Sequence, residues 1–551
     1  MPKKKRMAGT PALADRPLSQ KRQRVSQNLI GKLHVLTHEK SVASSSSQLY
    51  QAKKARLWDF KNADRQFKLH GDYPDPGSEV PHISPSEETL RHKCVGKSRE
   101  RLKSLCAKLQ VIPPLMAWER WQANCKLKED LEQRNKRFSR QTCKYEYILP
   151  SPEGGCLDEG LVNDLLRTGV TEAQARSVVE ALTKQSQKLV ADIRAYSSKE
   201  KERDAGKKKQ LVMRTAKNNY GTGSVKVTVV EHKHTYDVFV HPKHILKINR
   251  GHYSKLKELY VLAQRRKNHL SHSTSSIDSP PPDPVPASTV FANDVELAKF
   301  HDDLYVMLAR YNALLGHGMQ CALGEAVFDT LQYYLQVSLE CFASPLNCRF
   351  PCYCSAFFDS DFAFGSRGSF FQYEPREGSF EVNPPFIESI MVASVRHVSK
   401  LLQVKISCLS FVFIIPGWKE STAYIELESS PFLVYRLGVA AKDHGYASGA
   451  QHQRRDRFLD APFDTIVYVL QNTRGRAKYG LRLDDKTKKL PSSSDEYLCQ
   501  FERDMRAAFA TTLPTDAMRQ RRLREGRGFG DLDGGGGVYK GRKKKSNQKN
   551  L

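Results

Sequence analysis

No uninterrupted apolar run in this 551-residue chain reaches the roughly 18 to 20 residues needed to cross a bilayer, and the N-terminus is charged where a secretory signal is apolar. A membrane partner is therefore not expected, and an intracellular protein is. Cysteine is also sparse, since twelve in so long a chain cannot form a disulfide scaffold and intracellular thiols stay reduced. The densest group, Cys341, Cys348, Cys352 and Cys354, lacks paired C-x2-C knuckles and contains no histidine, so no metal site is expected there. Acidic residues run short as well: Asp+Glu 60 against Lys+Arg 88 leaves a net charge of +28. Such an excess neutralises phosphates and points to a polyanionic partner, nucleic acid above all.

The composition shifts along the chain. Residues 1–57 are rich in Lys, Arg, Ser and Gln and are expected to form a disordered basic tail. Two short clusters in it, Pro2–Arg6 and Lys21–Val25, have the charge pattern of nuclear-import signals. Residues 58–270 read as a mainly helical module interrupted by one hairpin, "SVKVTVVEHKHTYDVFV". A Ser/Pro tract at 271–290 reads as a linker, and residues 291–480 alternate helices with buried-strand candidates, which predicts a mostly parallel α/β sheet. The last stretch, 481–551, combines Gly with Arg and Lys and reads as a flexible tail.

One stretch carries chemistry. In "GSFEVNPPFIES" two prolines follow Asn383 directly; neither has an N–H and each fixes φ, so they end a strand and hold the Asn383 amide rigidly. An exocyclic adenine amine is a poor nucleophile, and methylating it requires acceptors for both of its N–H bonds as positive charge develops. Asn383 Oδ1 and the carbonyl of Pro384 can be those acceptors, held by Pro385, while Phe386 stacks on the base.

Three longer segments, "ECFASPLNCRFPCYCSAFFDSDFAFGSRGSFF", "GSFEVNPPF" and "FVFIIPGWKEST", together resemble the cap-specific adenosine N6-methyltransferase family, also called phosphorylated CTD-interacting factor, from about Leu304 to Asn472. The resemblance implies a Rossmann-like class I domain dependent on S-adenosylmethionine, preceded by a helical module that binds RNA or the cap. It implies transfer to N6 of the 2'-O-methyladenosine beside the 7-methylguanosine cap of mRNA, in the nucleus. Asn383, Pro384, Pro385 and Phe386 would be the catalytic and cofactor-adjacent loop, with Glu340, Ala343, Ser344 and Asn347 also near the cofactor. Glu388 and the stretch Trp418, Lys419, Glu420, Ser421 and Thr422 would face the cap, with Trp418 stacked on the cationic methylguanine. Lys419 stands where the family has Arg, and Ser421-Thr422 where it has Pro-Pro. Arg176 and Arg194 are candidates for phosphate contacts. Family members can carry a WW domain that needs two Trp about 20 residues apart; Trp58 is isolated, and Trp118 and Trp121 are three apart, so no such domain and no polymerase-tail binding is expected. Two other readings stay open: an enzyme acting on internal adenines of RNA or DNA, and a catalytically silent RNA-binding relative.

Overall fold

The structure, a computed structural model, describes residues 58, 60, 82–135, 148–150, 158–213, 226–242, 244–272, 291, 293–314, 320–454, 456–480 and 494–524. Both import-type clusters, most of the Ser/Pro tract and the Gly-rich C-terminal stretch lie outside the described residues.

The helical half starts where "SPSEE" supplies both a cap and a first-turn proline: Ser84 accepts from Glu87 N, and Pro85 opens α1 (Pro85–Lys108). Helices α2 (Ala117–Asn135), α3 (Glu159–Leu166) and α4 (Glu172–Met213) follow. Strands β1 (Thr228–Glu231) and β2 (Thr235–Phe239) form the expected hairpin, and β3 (Leu246–Asn249) adds a third antiparallel strand before α5 (Arg250–His272).

Beyond the Ser/Pro tract, Asn293 caps α6 (Asp294–Ala313). Its buried Arg310 pairs with Glu88 of α1 at 2.7 Å and with Asp359 at 2.9 Å. Val95, Trp121, Val179, Leu256, Phe300, Tyr353 and Phe364 belong to one hydrophobic cluster, so a single core runs across the boundary the composition suggested. The linker separates two stretches of sequence, not two cores.

Helix α7 (Glu325–Leu335) ends at Gln336, whose φ of 55° turns the chain into β4 (Leu339–Glu340). After α8 (Phe358–Asp361) come β5 (Glu377–Val382), α9 (Glu388–Leu402), β6 (Cys408–Pro416), α10 (Thr422–Glu428) and β7 (Leu433–Val439). The hairpin of β8 (Gly445–Ala447) and β9 (Phe458–Asp460) then leads to β10 (Thr465–Gln471) and α11 (Thr473–Tyr479). The main sheet has the order β4-β5-β6-β10-β7. Strands β4, β5 and β6 are parallel neighbours, while β10 runs against both β6 and β7, so the expected mostly parallel sheet is a mixed one with β10 reversed. Two isolated parallel bridges, Glu340 to Tyr353 and Tyr353 to Ser366, continue the ladder beyond β4.

The flexible-tail reading of 481–551 needs correction over 494–524. Helix α12 (Ser494–Ala510) buries Phe501, Met505, Ala508 and Phe509, with Phe501 edge-on to Tyr334 of α7 and Tyr435 of β7, and α13 (Asp516–Arg524) follows it. The apolar face of α12 outweighs its polar neighbours in setting its state.

Candidate active site

Alternation along β5 sorts its side chains. Phe380 and Val382 join the cluster with Phe411, Phe413, Met391 and Val395, whereas Ser379, Glu381 and then Asn383 fall on the opposite face. That second face is buried and polar, an arrangement that costs stability unless it is used.

Glu340 of β4 lies in register with Glu381 of β5, and both are buried. Glu340 Oε1 accepts from the backbone N–H groups of Arg349 (2.7 Å) and Phe350 (3.0 Å). Burial pushes its carboxyl up to about 7 against those two bonds. Glu381 is held well above the usual carboxylate range, by burial first and by the neighbouring Glu340 second, and its Oε1 has no hydrogen-bond partner. The strand ends thus offer acceptors to a positively charged group.

Asn383 leaves β5 half-buried, and no hydrogen bond among the described residues takes up its side-chain amide or the carbonyl of Pro384. Pro385 differs, since its carbonyl accepts from Ile387 N at 2.6 Å and tightens the loop into α9. Phe386 meets three rings edge-on: Phe463 at 5.5 Å, Tyr446 at 6.1 Å and Trp418 at 6.4 Å between centroids. Trp418 also lies edge-on to Phe463 at 5.4 Å and keeps 37% of its surface exposed. Tyr446 is anchored through Thr465, whose Oγ1 is 2.8 Å from His444 Nε2, while His444 Nδ1 donates to Ala440 O. Burial lowers the pKa of His444.

The other expected residues fall into two groups. Ser344 donates through both N and Oγ to Asn347 Oδ1 (2.7 and 2.9 Å), and Asn347 Nδ2 donates to Gln320 O. Their polar groups are engaged in building the turn after β4, to which Ala343 adds a backbone bond to Cys354 O. Glu388 Oε1 accepts from Thr422 N at 2.6 Å and Ser421 Oγ accepts from Tyr424 N, so both close the N-terminus of α10. Lys419 and Glu420 are exposed. Arg176 is half-buried and paired with Glu159 and Glu172, while Arg194 is exposed further along α4. Cys341, Cys348, Cys352 and Cys354 are buried thiols, each held above its ordinary pKa by burial first.

Sequence reasoning missed Glu381, Tyr446 and Phe463. A carboxylate inside "SFEVN" was a usable signal, because its neighbours alternate apolar. Tyr446 and Phe463 gave none, since they sit in a short strand and a loop and meet Phe386 only through tertiary folding.

Residues 287–449 match the family model described as phosphorylated CTD interacting factor 1 WW domain. A mouse protein named mRNA (2'-O-methyladenosine-N(6)-)-methyltransferase is 42% identical over 198 residues, 34% of this chain and 28% of the relative. Its human counterpart of the same name is 41% identical over 197 residues, with the same two shares. The resemblance read from the motifs holds. The match spans 28% of the length of these curated relatives. The family's description names a WW domain, which corrects the expectation that none is recognisable, and with it the ground given for expecting no polymerase-tail binding. The matched residues contain one tryptophan, Trp418, and the described ones among them form helices and strands of the mixed sheet. Trp118 and Trp121 are core residues, with Trp118 Nε1 donating to Ser98 Oγ.

Proposed function

We propose that this chain is a Rossmann-like class I methyltransferase that uses S-adenosylmethionine to methylate N6 of the (2'-O-methyl)adenosine beside the 7-methylguanosine cap of mRNA. The observation that carries it is the Asn383 amide, fixed by Pro384 and Pro385 at the carboxyl end of β5, beside Phe386 and without a protein partner.

The topology supports the fold reading. From β4 the sheet extends one way through Tyr353 and Ser366 and the other way through β5 and β6, so the strand order reverses between β4 and β5. Open α/β sheets bind ligands outside the carboxyl ends of strands at such a reversal, and Glu340 and Asn383 flank it. The residues fit the cofactor: unpartnered Glu381 Oε1 and its neighbour Glu340 suit a cationic sulfonium or ammonium group.

S-adenosylmethionine, when bound, supplies an electrophilic methyl group. Asn383 Oδ1 and Pro384 O accept from the two N–H bonds of the adenine amine, and that acceptance strengthens as the nitrogen becomes positive. Because the prolines hold both acceptors before the substrate arrives, little reorganisation accompanies the reaction. Phe386, backed by Phe463 and Tyr446, sets the plane of the base and thereby the line of attack. Trp418, exposed at the rim of the same cluster, is placed to stack on a cationic guanine. The relatives' names support the cap-adjacent adenosine as the target. The basic clusters near the N-terminus support a nuclear location, which deleting residues 1–26 of a tagged protein checks.

The test is methyl transfer from labelled cofactor to matched RNAs that begin with a methylguanosine cap and adenosine, or with a triphosphate, followed by nucleoside analysis. N6-methylated product from capped RNA alone is expected. Equal transfer to uncapped internal adenines would replace the cap reading with the general adenine enzyme, and no transfer at all would leave an RNA-binding relative.

A further inference from the structure

Beside the turn that follows β4 lies a narrow cleft lined by His252, Lys255, Glu325, Leu346, Asn347 and Ala447, with about 10 Å³ of free space. Its location ties it to the candidate active site from two sides. Leu346 and Asn347 belong to the turn at the reversal of strand order, and Ala447 follows Tyr446, the residue whose ring touches Phe386. Successive residues of a strand point to opposite faces, so β8 divides the aromatic cluster from the cleft.

The charge inside the cleft is unbalanced. Lys255 reaches it from α5, a helix of the N-terminal module, with only 2% of its surface exposed. Its Nζ donates to Leu346 O at 3.3 Å, and no carboxylate among the described residues lies within ion-pair distance. Glu325, the acidic residue of the lining, is engaged at both oxygens by the guanidinium of Arg457. Glu340 is near enough for Lys255 to pull its pKa down, but it spends Oε1 on two backbone donors. A buried ammonium whose partners are the Leu346 carbonyl and the Cys348 thiol has given up most of its hydration without a paired carboxylate, an arrangement that an anionic ligand completes.

We propose that Lys255 binds the carboxylate at the amino-acid end of S-adenosylmethionine, with the cleft between α5 and the Ser344–Asn347 turn as the pocket for that end. The inference rests on the cofactor reading above and assigns a direction to it. The carboxylate lies at Lys255, and the cationic ammonium and sulfonium lie toward the acceptors Glu340 and Glu381, so the polarity of the site matches that of the ligand. It also gives the helical module a part in cofactor binding, since α5 supplies the ammonium.

Calorimetry on the full chain tests this with two ligands, S-adenosylmethionine and its decarboxylated analogue, which keeps the sulfonium and amine but lacks the carboxylate. The wild-type protein is expected to prefer S-adenosylmethionine by about 10- to 100-fold, the usual weight of a charge-assisted hydrogen bond. Lys255→Met and Lys255→Gln should lose most of that preference while binding the analogue within about threefold of wild type, and Lys255→Arg should regain part of it. Taking the ratio of two ligands within each variant cancels any general loss of folded protein, and melting curves identify a variant that does not fold. Equal wild-type affinity for the two ligands overturns the proposal, as does an unchanged preference in Lys255→Gln. Failure of the wild-type chain to bind either ligand overturns the cofactor reading itself, a result distinct from binding without discrimination.

Discussion

Two loops leave the same edge of the sheet, one after β5 and one after β6, and their polar groups have opposite fates. In Asn383–Phe386 the side-chain amide and the Pro384 carbonyl are left without protein partners. In Trp418–Thr422 the charged side chains of Lys419 and Glu420 are exposed, while the turn's own polar groups are engaged: Trp418 O accepts from Ser421 N, Ser421 caps α10, and Thr422 N donates to Glu388. An unpaired polar group near a buried surface costs about 1–3 kcal/mol, so a chain keeps one where a ligand will complete it. The first loop therefore has the character of chemistry. The second has the character of a bracket that carries one exposed ring.

The largest effect should come from the unpartnered amide. Asn383→Ala removes an acceptor needed in the transition state but little packing, so turnover should fall roughly 100- to 1,000-fold. Melting temperature and cofactor affinity should stay close to wild type. A variant retaining within about threefold of full activity would put Asn383 in the same structural class as Ser421, and the contrast between the loops would be lost.

Phe386 comes next, since it belongs to the first loop and touches the second through Trp418. Phe386→Ala should cost about 1–3 kcal/mol in transfer, read as kcat/KM, because the face on which the base stacks is removed. Phe386→Tyr keeps that face and should retain much more activity. Equal losses would mean that the ring serves the core alone, where Phe386 also packs at the edge of the β5 and β6 cluster.

The first loop was more legible in the sequence than the second, for a physical reason. Asn-Pro-Pro-Phe specifies its own local geometry, because two prolines fix the backbone whatever surrounds them. Likewise the hairpin of β1 and β2 was signalled by the alternation of β-branched residues in its own sequence. The role of Glu388 was not legible, because its partner Thr422 belongs to another helix brought alongside by the sheet. The reversed direction of β10 was equally hidden, since "TIVYVLQ" reads as a buried strand in either direction. So was the shared core: Arg310 meets Glu88 across more than two hundred residues, and no local pattern records that.

Trp418→Ala should have a smaller and more selective effect. If the exposed indole stacks on a cationic methylguanine, its loss removes about 1–2 kcal/mol of preference for capped over triphosphate-ended RNA. The salt dependence of binding should hardly change, because no cationic side chain is lost. Competition binding with the two RNAs at several salt concentrations separates these outcomes. An unchanged cap preference would confine Trp418 to its edge contacts with Phe386 and Phe463.

The smallest effect is expected at Glu388, where the two loops are joined. Its carboxylate at the start of α9 satisfies Thr422 N, an N–H at the start of α10 that the helix itself leaves unpaired. Glu388→Ala should therefore cost on the order of 1 kcal/mol of stability, as loss of a helix cap does, and lower the melting temperature by a few degrees. Glu388→Gln keeps an acceptor oxygen and should recover most of that loss. Any effect on transfer should arrive indirectly, through a less firmly placed Trp418, as a rise in KM for capped RNA of no more than about threefold with kcat unchanged. The alternative has a different signature, because a carboxylate that accepts from the guanine edge would be missed by the ligand and not by the fold. Should Glu388→Ala melt like wild type yet erase cap preference as fully as Trp418→Ala, Glu388 belongs to the cap site and the bracket account of the second loop fails.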